Sequence, residues 1–495
     1  MRFITTILFS LLFCLNTLNA QKTSKELTLD EVIQIAKEQS LQAIMAKHRF
    51  RGSYWEYRSY KAKYLPMLTL NSTIFNFDRS IRQSYAYEQG EWRERIGESK
   101  SLNSSGRLNL RQNIGLTGGN IFMSSGLNRN DLLQGDSAIR YISNPISIGF
   151  TQPINGYNEL RWEKRIEPKK YEEAKKQYID AMEAVSVRAV NFFFDLALAQ
   201  MNLEISNINF ENTDTLYKIA RGRYNMGTIA ENELLQLELS HLNAGANYNN
   251  ASIDLEVKKF QLRSYLGFNE SVNLQLIIPM VIPEMEIDVT HALEEARKNN
   301  PEIIALDIQM LEAQREVAQA RSQRGLNATL YTSFGLTKEA PNIPGAYIDP
   351  QDQQQVEVGI QVPIIDWGLG RGRYKMAKSN EEVVMTSVQQ EKIDFEQNVL
   401  LSAMQFNLQD DQLVIAAKAD TVAAYRYEVS KNRFLIGKID VLDLNVALEE
   451  KDVARRSYIA AMRNFWSYYY NMRRLTLFDY INNTPLETSF ENLFE

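Results

Sequence analysis

From about residue 158 onward, apolar side chains recur at three- and four-residue spacing. Val185, Ala189, Phe192, Phe193, Leu196 and Leu203 keep this period, with charges between them. It is the apolar stripe of a helix. The stripe predicts one helix from about Asn158 to Met226, 69 residues, which at ~1.5 Å per residue is roughly 100 Å. Ordinary helices average about 11–12 residues, so this length is itself informative. Elsewhere the period falls to two. Ile146, Ile148 and Phe150 alternate with Ser147, Gly149 and Thr151, and Val356, Val358, Ile360 and Val362 alternate with Glu357, Gly359 and Gln361. Strands with one apolar and one polar face suit a sandwich, and equally a lipid-facing barrel with a wet interior.

The pattern occurs twice. Residues Thr28 to Phe75 match Asp288 to Gly335 at an offset of 260, and both copies open on a helix start, Leu29-Asp30-Glu31-Val32 and Val289-Thr290-His291-Ala292. Residues Phe150 to Phe268 match Ile360 to Phe478 at an offset of 210, with no gap over 119 residues. The offsets differ by 50, so the first copy carries about fifty extra residues between two strands while its helices carry none. Helix length is therefore under geometric constraint and loop length is not. Each copy reads helix, strand, loop, strand, long helix, tip, long helix.

This organisation divides the chain as follows. A first repeat covers 21–278, with strands near 66–79 and 141–153, an insertion at 80–130, and a helical hairpin at 158–267 whose tip is at 227. A linker at 279–286 is marked by Pro279 and Pro283. A second repeat covers 287–478, with strands near 326–338 and 354–364 and a hairpin at 367–475 whose tip is at 437. A tail, 479–495, follows. Within the insertion, Arg107 to Ile114 and Asn120 to Asn128 alternate around Gly115-Leu116-Thr117-Gly118-Gly119, a hairpin signal. The insertion is expected to form an extracellular cap. The other reading is an extra pair of barrel strands, in which case a count of four strands fails.

Residues 1–20 read as a secretory signal. Arg2 is the positive end, Ile7 to Leu15 the apolar core, and cleavage is expected after Ala20. Phe13 before Cys14 is too large for a lipoprotein signal, so the mature chain is expected to hold no cysteine and no lipid anchor. No later stretch approaches the ~18 apolar residues of a transmembrane helix. That leaves a barrel as the means of crossing a membrane, because the chain pairs a signal segment with long helices and alternating strands. Four strands cannot close a barrel alone, so several protomers must share one. The net charge of −6 argues against nucleic acid as partner.

The two tips are near-copies: Arg223-Tyr224-Asn225-Met226-Gly227-Thr228 and Arg433-Phe434-Leu435-Ile436-Gly437-Lys438. With the tandem unit and the junctions Gln152-Pro153-Ile154 and Val362-Pro363-Ile364, they give the chain its resemblance to the TolC family of outer-membrane channels. The resemblance spans Leu27 to about Asp479. It implies an α+β membrane protein in which a homotrimer shares one outer-membrane barrel, four strands from each protomer making about 12, above a periplasmic helical tunnel. It also implies a passive exit duct in outer-membrane lipid for efflux or type I secretion. A periplasmic adaptor would dock at the tips (Gly227, Thr228, Gly437, Lys438, Arg223, Arg433) and an inner-membrane transporter would lie beyond it. In that family acidic side chains face the axis near the tips, and Asp443 and Glu233 stand six residues after their glycines, where that pattern expects carboxylates. Three copies would make two carboxylate rings, which concentrate cations. The same acids would also complement a helix N-terminus. The sequence departs from the family elsewhere: a second acidic position is Val446, and the tyrosine and arginine that hold the gate shut correspond to Phe434 and Ile439.

Other chemistry finds little support. Gly368, Gly370 and Gly372 imitate a nucleotide loop but lack its last glycine, and a strand-to-helix bend explains them. His48, His241 and His291 have no partner at metal-ligand spacing. No cofactor and no catalysis are expected. The alternative readings are a periplasmic adaptor, whose single hairpin the tandem copy speaks against, and a structural coiled-coil spacer, which the strands speak against.

Overall fold

The structure, a computed structural model, describes residues 24–88, 90–133, 138–154, 156–268, 273–279, 283 and 285–493. The expected signal segment and much of the expected linker lie outside the described residues. The chain forms two compact units, one of residues 1–51, 173–303 and 391–495, the other of 52–172 and 304–390. Each unit draws on both tandem copies, so the repeats are units of sequence rather than of packing.

The first unit is helical. Its short helices are α1 (Leu29–Gln39) and α5 (Val289–Asn299), and the beginnings of α2 (Leu41–Ala62) and α6 (Pro301–Gln323) also belong to it. Thr28 caps α1 in a capping box with Glu31, and the Asp288 carboxylate accepts from the N–H groups of Thr290 and His291 to cap α5. These caps satisfy donors that a helix start leaves free. The long helices are α3 (Glu159–Asn225), α4 (Glu231–Leu266), α7 (Leu369–Leu435) and α8 (Val441–Thr476). Their ends correspond at the sequence offset of 210 without slippage: 67 residues in α3 and α7, 36 in α4 and α8. Phe193, Phe194, Leu196, Leu262, Phe406, Phe465 and Tyr469 pack the main core and are all but fully buried, each burial stabilising by about 1.5–3 kcal/mol. One element was not foreseen. Strand β1 (Ser24–Leu27) pairs in parallel with β6 (Asn273–Leu276), so the segment after the first hairpin returns to the chain's start.

A buried ionic network ties this unit together. Glu183 on α3 accepts from Lys37 Nζ (2.7 Å) and Arg473 Nε (3.0 Å). Arg473 on α8 also reaches Asp479 Oδ2 (2.9 Å), and Asp479 accepts from the Tyr469 hydroxyl (2.7 Å) and the Asn482 amide (3.0 Å). Burial works against the Arg473 charge, and Glu183 with Asp479 more than offsets it, so its pKa is raised. Burial likewise pushes the Asp479 carboxyl up, but the Tyr469 and Asn482 donors and the Arg473 charge prevail and hold it below the ordinary carboxylate range.

The second unit holds a sheet of six strands: β2 (Met67–Glu88), β3 (Glu91–Ile114), β4 (Gly119–Leu132), β5 (Ala138–Ile154), β7 (Asn327–Ala340) and β8 (Gln351–Gln361). They lie in the order β2-β3-β4-β5-β7-β8, every neighbouring pair antiparallel. The count of four strands is thereby corrected to six, and the inserted residues form strands in the same sheet where a cap was expected. The physical reason lies in the helix-side turn of the β3–β4 hairpin. The Asn158 amide donates to the carbonyls of Gly115 and Leu116 (3.2 Å each), and the Gln152 amide donates to that of Thr117 (2.9 Å). Tyr64 lies so close to Gly115 that a Cβ there would fall 2.8 Å from its ring. The α2–β2 and β5–α3 junctions of the first repeat thus both contact the inserted turn.

Replacing Asp479 by Asn should lower stability by about 1.5–3 kcal/mol, the usual worth of a hydrogen bond to a charged group. The sign of its pH dependence is fixed. A carboxyl depressed in the fold stabilises it fully above its unfolded pKa of ~4, and loses that contribution as pH falls through the lower folded value. Thermal unfolding of the solubilised protein should therefore show the deficit of Asp479→Asn largest near pH 6 and shrinking towards pH 3. A deficit that grows on acidification contradicts this account.

Candidate functional site

The tips are built by two chain reversals of the same design. At the first, Gly227 takes φ +73°, its N–H donates to Tyr224 O (2.8 Å), and the N–H of Thr228 donates back to Arg223 O (3.0 Å). At the second, Gly437 takes φ +74°, its N–H donates to Phe434 O (2.9 Å), and that of Lys438 donates to Arg433 O (2.9 Å). These paired bonds satisfy the carbonyls that a helix end leaves free, and they need a left-handed residue. Thr228 adds a bond from its hydroxyl to Arg223 O (2.9 Å), which Lys438 has no hydroxyl to copy.

The following helices start differently. Asp440 caps α8 by accepting from the N–H of Asp443 (2.8 Å), whereas Ala230 before α4 offers no side-chain cap. Asp443 and Glu233 both fall in a first helical turn and are both exposed. A carboxylate there complements the helix dipole. Because Asp440 already fills the capping role, Asp443 is left directed to solvent rather than spent on the backbone.

A small apolar core joins the two tips. Ala220 and Leu237 of the first hairpin are buried with Tyr427, Phe434 and Leu444 of the second, and Leu216, Ile229, Leu234, Ile439 and Leu448 pack around them. Leu234 and Leu444 directly follow Glu233 and Asp443, so each acid sits at the border of this shared core. Phe434 is buried in this core and Ile439 packs against it. Val446 is exposed. The sequence reading missed Tyr427 as a member. Its signal was available in the helical spacing from Tyr427 to Phe434, seven residues or two turns, on one face of α7. Burial raises the Tyr427 hydroxyl pKa, so Tyr427 remains neutral and acts by packing. Arg433 is exposed and Arg223 half-buried, and around the glycines there is open space: a Cβ on Gly227 or Gly437 would meet nothing within 4 Å.

Elsewhere the glycine run and two of the histidines have local partners. The Asp366 carboxylate accepts from the N–H groups of Gly368 and Gly370 (2.9 Å each), the donors a phosphate would need, so this glycine run is a capped strand-to-helix bend. His241 stacks on Phe210 and Tyr217, and His291 sits edge-on to Phe478. Among the described residues no group of three metal-ligating side chains comes together, and no helix is long and apolar enough to cross a membrane.

The family model described as outer membrane efflux protein matches residues 120–268 and 292–475, most of both repeats. The chain belongs to this outer-membrane efflux family. Solved structures agree on the fold. The CmeC outer membrane channel of Campylobacter jejuni superposes with a TM-score of 0.66 at 15% identity, over 94% of this chain and 88% of that one. VceC of Vibrio cholerae gives 0.63 at 15% identity, over 93% and 97%. The open state of the Neisseria gonorrhoeae MtrE channel gives 0.61 at 13% identity, over 90% and 88%. No curated protein matches the chain in sequence. This efflux-family protein is thus an outer-membrane protein with a periplasmic extension.

Gly437→Val forces a β-branched residue into a left-handed conformation at a cost of about 1–2 kcal/mol. Hydrogen exchange should accelerate locally across 433–444 while the main core stays protected. Gly222→Ala, inside α3 with open space around it, should leave exchange at the tip unchanged or slow it. Equal effects of the two changes would show that the positive φ of Gly437 is not what fixes the turn.

Proposed function

We propose that the protein is the outer-membrane exit duct of a tripartite efflux or type I secretion system. It works as a homotrimer, shut at the helical tips and opened when a periplasmic adaptor docks there, with an inner-membrane transporter supplying cargo and energy. The duct itself performs no chemistry.

The observation that carries this reading is the pair of tips. Two hairpins of equal arm length end in open glycine turns, share one apolar core, and each present a first-turn carboxylate at the border of that core. Equal arms bring both tips to one level. Bare glycines let a partner's backbone approach closely. The carboxylates Asp443 and Glu233, repeated by three copies, form two acidic rings that attract cations and repel one another when brought close. Opening relieves that repulsion, and docking on Gly227, Thr228, Gly437 and Lys438, flanked by Arg223 and Arg433, supplies the free energy for it.

Assembly is supported by what a single chain leaves uncovered. Strand β8 is exposed along its whole length. Helix α7 exposes Met376, Val383, Met385, Leu401, Val414 and Ile415, and helix α4 exposes Leu235, Leu239, Leu242, Ile253 and Phe260. Apolar surface on this scale belongs against protein or lipid.

Replacing Gly227 and Gly437 together by Trp should abolish export of toxic compounds in a strain lacking the native gene while trimers persist in the outer membrane. Normal export by that variant rejects docking at the tips. Separately, Asp443→Asn with Glu233→Gln should lower basal conductance in planar bilayers and reduce cation over anion preference. Unaltered conductance and selectivity would remove these carboxylates from the gate.

A further inference from the structure

We infer that the inserted hairpin is part of the membrane wall, so that three copies close a barrel of eighteen strands, β8 of each copy pairing with β2 of the next. The inference rests on the trimeric reading above and adds the number of strands, their neighbours and their register.

The side chains of the inserted strands carry the first argument. Following hydrogen-bonded neighbours across the sheet, one face presents Leu68 and Leu70 on β2, Leu108 and Leu110 on β3, Ile121 and Met123 on β4, Ile148 and Phe150 on β5, Leu330 and Phe334 on β7, and Val356, Val358 and Ile360 on β8. The belt reaches all six strands, β3 and β4 included, and is interrupted at Gln112, Thr332 and Gln354. Leu108, Ile121 and Met123 are exposed, as Ile148 and Val358 are. A cap bathed in water has no use for such a row, and a lipid-facing wall requires one. The opposite face of the same strands carries Thr69, Asn71, Arg107, Asn109, Arg111, Ser333 and Glu357, with Phe122 stacked on Tyr331 among them.

Register carries the second argument. A line straight across the sheet runs from Met67 through Arg111, Phe122, Gly149 and Ser333 to Gln355. Met67 is the helix-side end of β2, but Gln355 lies six residues short of the helix-side end of β8 at Gln361. The rim therefore climbs roughly 20 Å, at ~3.4 Å per residue, over five strand spacings that together measure about 24 Å. Its inclination of roughly 40° matches the ~35–45° strand tilt of closed membrane barrels.

Matching of faces then sets the junction: with Met67 of one copy opposite Gln361 of the next, Leu68 faces Ile360 and Leu70 faces Val358. Apolar meets apolar and polar meets polar without a slip, and a shift of one residue would reverse every pair. The strands β2 and β8 run in opposite directions, so the new ladder is antiparallel like the other five. Diameter grows roughly linearly with strand number, so this wall is about half as wide again as one of twelve strands. Arg107 and Arg111, borne by the inserted β3, add cationic side chains to its lumen.

The test uses single cysteines in the full chain, with Cys14→Ser as background, at Leu108, Met123, Asn109 and Val358. Each carries a nitroxide label, and the protein is reconstituted in phospholipid vesicles. Labels at Leu108 and Met123 should collide with lipid-dissolved oxygen as the label at Val358 does, while Asn109 responds to a water-soluble nickel chelate. A double variant, Asn71→Cys with Glu357→Cys, should oxidise to linked dimers and trimers on a denaturing gel, and neither single variant should. Intact trimers whose labels at Leu108 and Met123 meet only the nickel chelate overturn the eighteen-stranded wall and leave the trimeric duct standing. Failure of the parent Cys14→Ser protein to form trimers at all overturns both.

Discussion

A strand edge cannot be left open in hydrocarbon. Each unpaired N–H or C=O there costs several kcal/mol, because no water is present to replace the missing partner. The sheet of this protein has two such edges, β2 and β8. Almost everything else follows from the need to close them. In the proposed trimer neighbouring copies close these edges, and the exposed apolar residues of α4 and α7 lie at the interfaces between copies. The equal lengths of the helices in the two repeats belong to the same demand. A single-residue difference would turn one helix by about 100° relative to its counterpart, and would carry its apolar stripe off the neighbour it must meet.

Much of this was legible in the sequence. The long helices announced themselves by a 3.6-residue stripe sustained over many turns, and the second chain reversal by the one glycine between Gly372 and the C-terminus. The tandem offset of 210 relates the ends of the long helices in the two copies. Less legible was the insertion. Its alternation is genuine, with Leu108 and Leu110 set against Arg107, Asn109 and Arg111, but a hairpin in a cap and a hairpin in a wall alternate alike. What separates them is the docking of Gly115 against Tyr64 and Asn158, contacts between residues more than forty apart that no local pattern carries. The parallel pairing of β1 with β6 was invisible for a related reason. Four-residue strands are too short for a period, and their partners lie some 250 residues away.

At the candidate site the residue types were legible and their surroundings were not. Asp443 and Glu233 lie where spacing placed them, in the first turns of α8 and α4. Their chemical setting comes from the fold: Asp440 takes the cap and leaves Asp443 for solvent, and the tip core brings Leu234 and Leu444 together. Phe434 and Ile439 stand where the resemblance implies polar latch residues. Their placement in that core means that the two tips of one protomer are held by apolar contact. Such contact is insensitive to salt and pH, whereas the acidic rings proposed beside it respond to both.

One further feature lies at the other end of the sheet. Beyond Lys100, whose carbonyl accepts from the Leu133 N–H, β2 and β3 continue to Glu88 and Glu91 with only each other as strand partners among the described residues. A ribbon of two strands has little stability of its own, and nothing on the helix side depends on its length. In the proposed wall, that makes the ribbon a segment into which a foreign peptide can be inserted without disturbing the strands below.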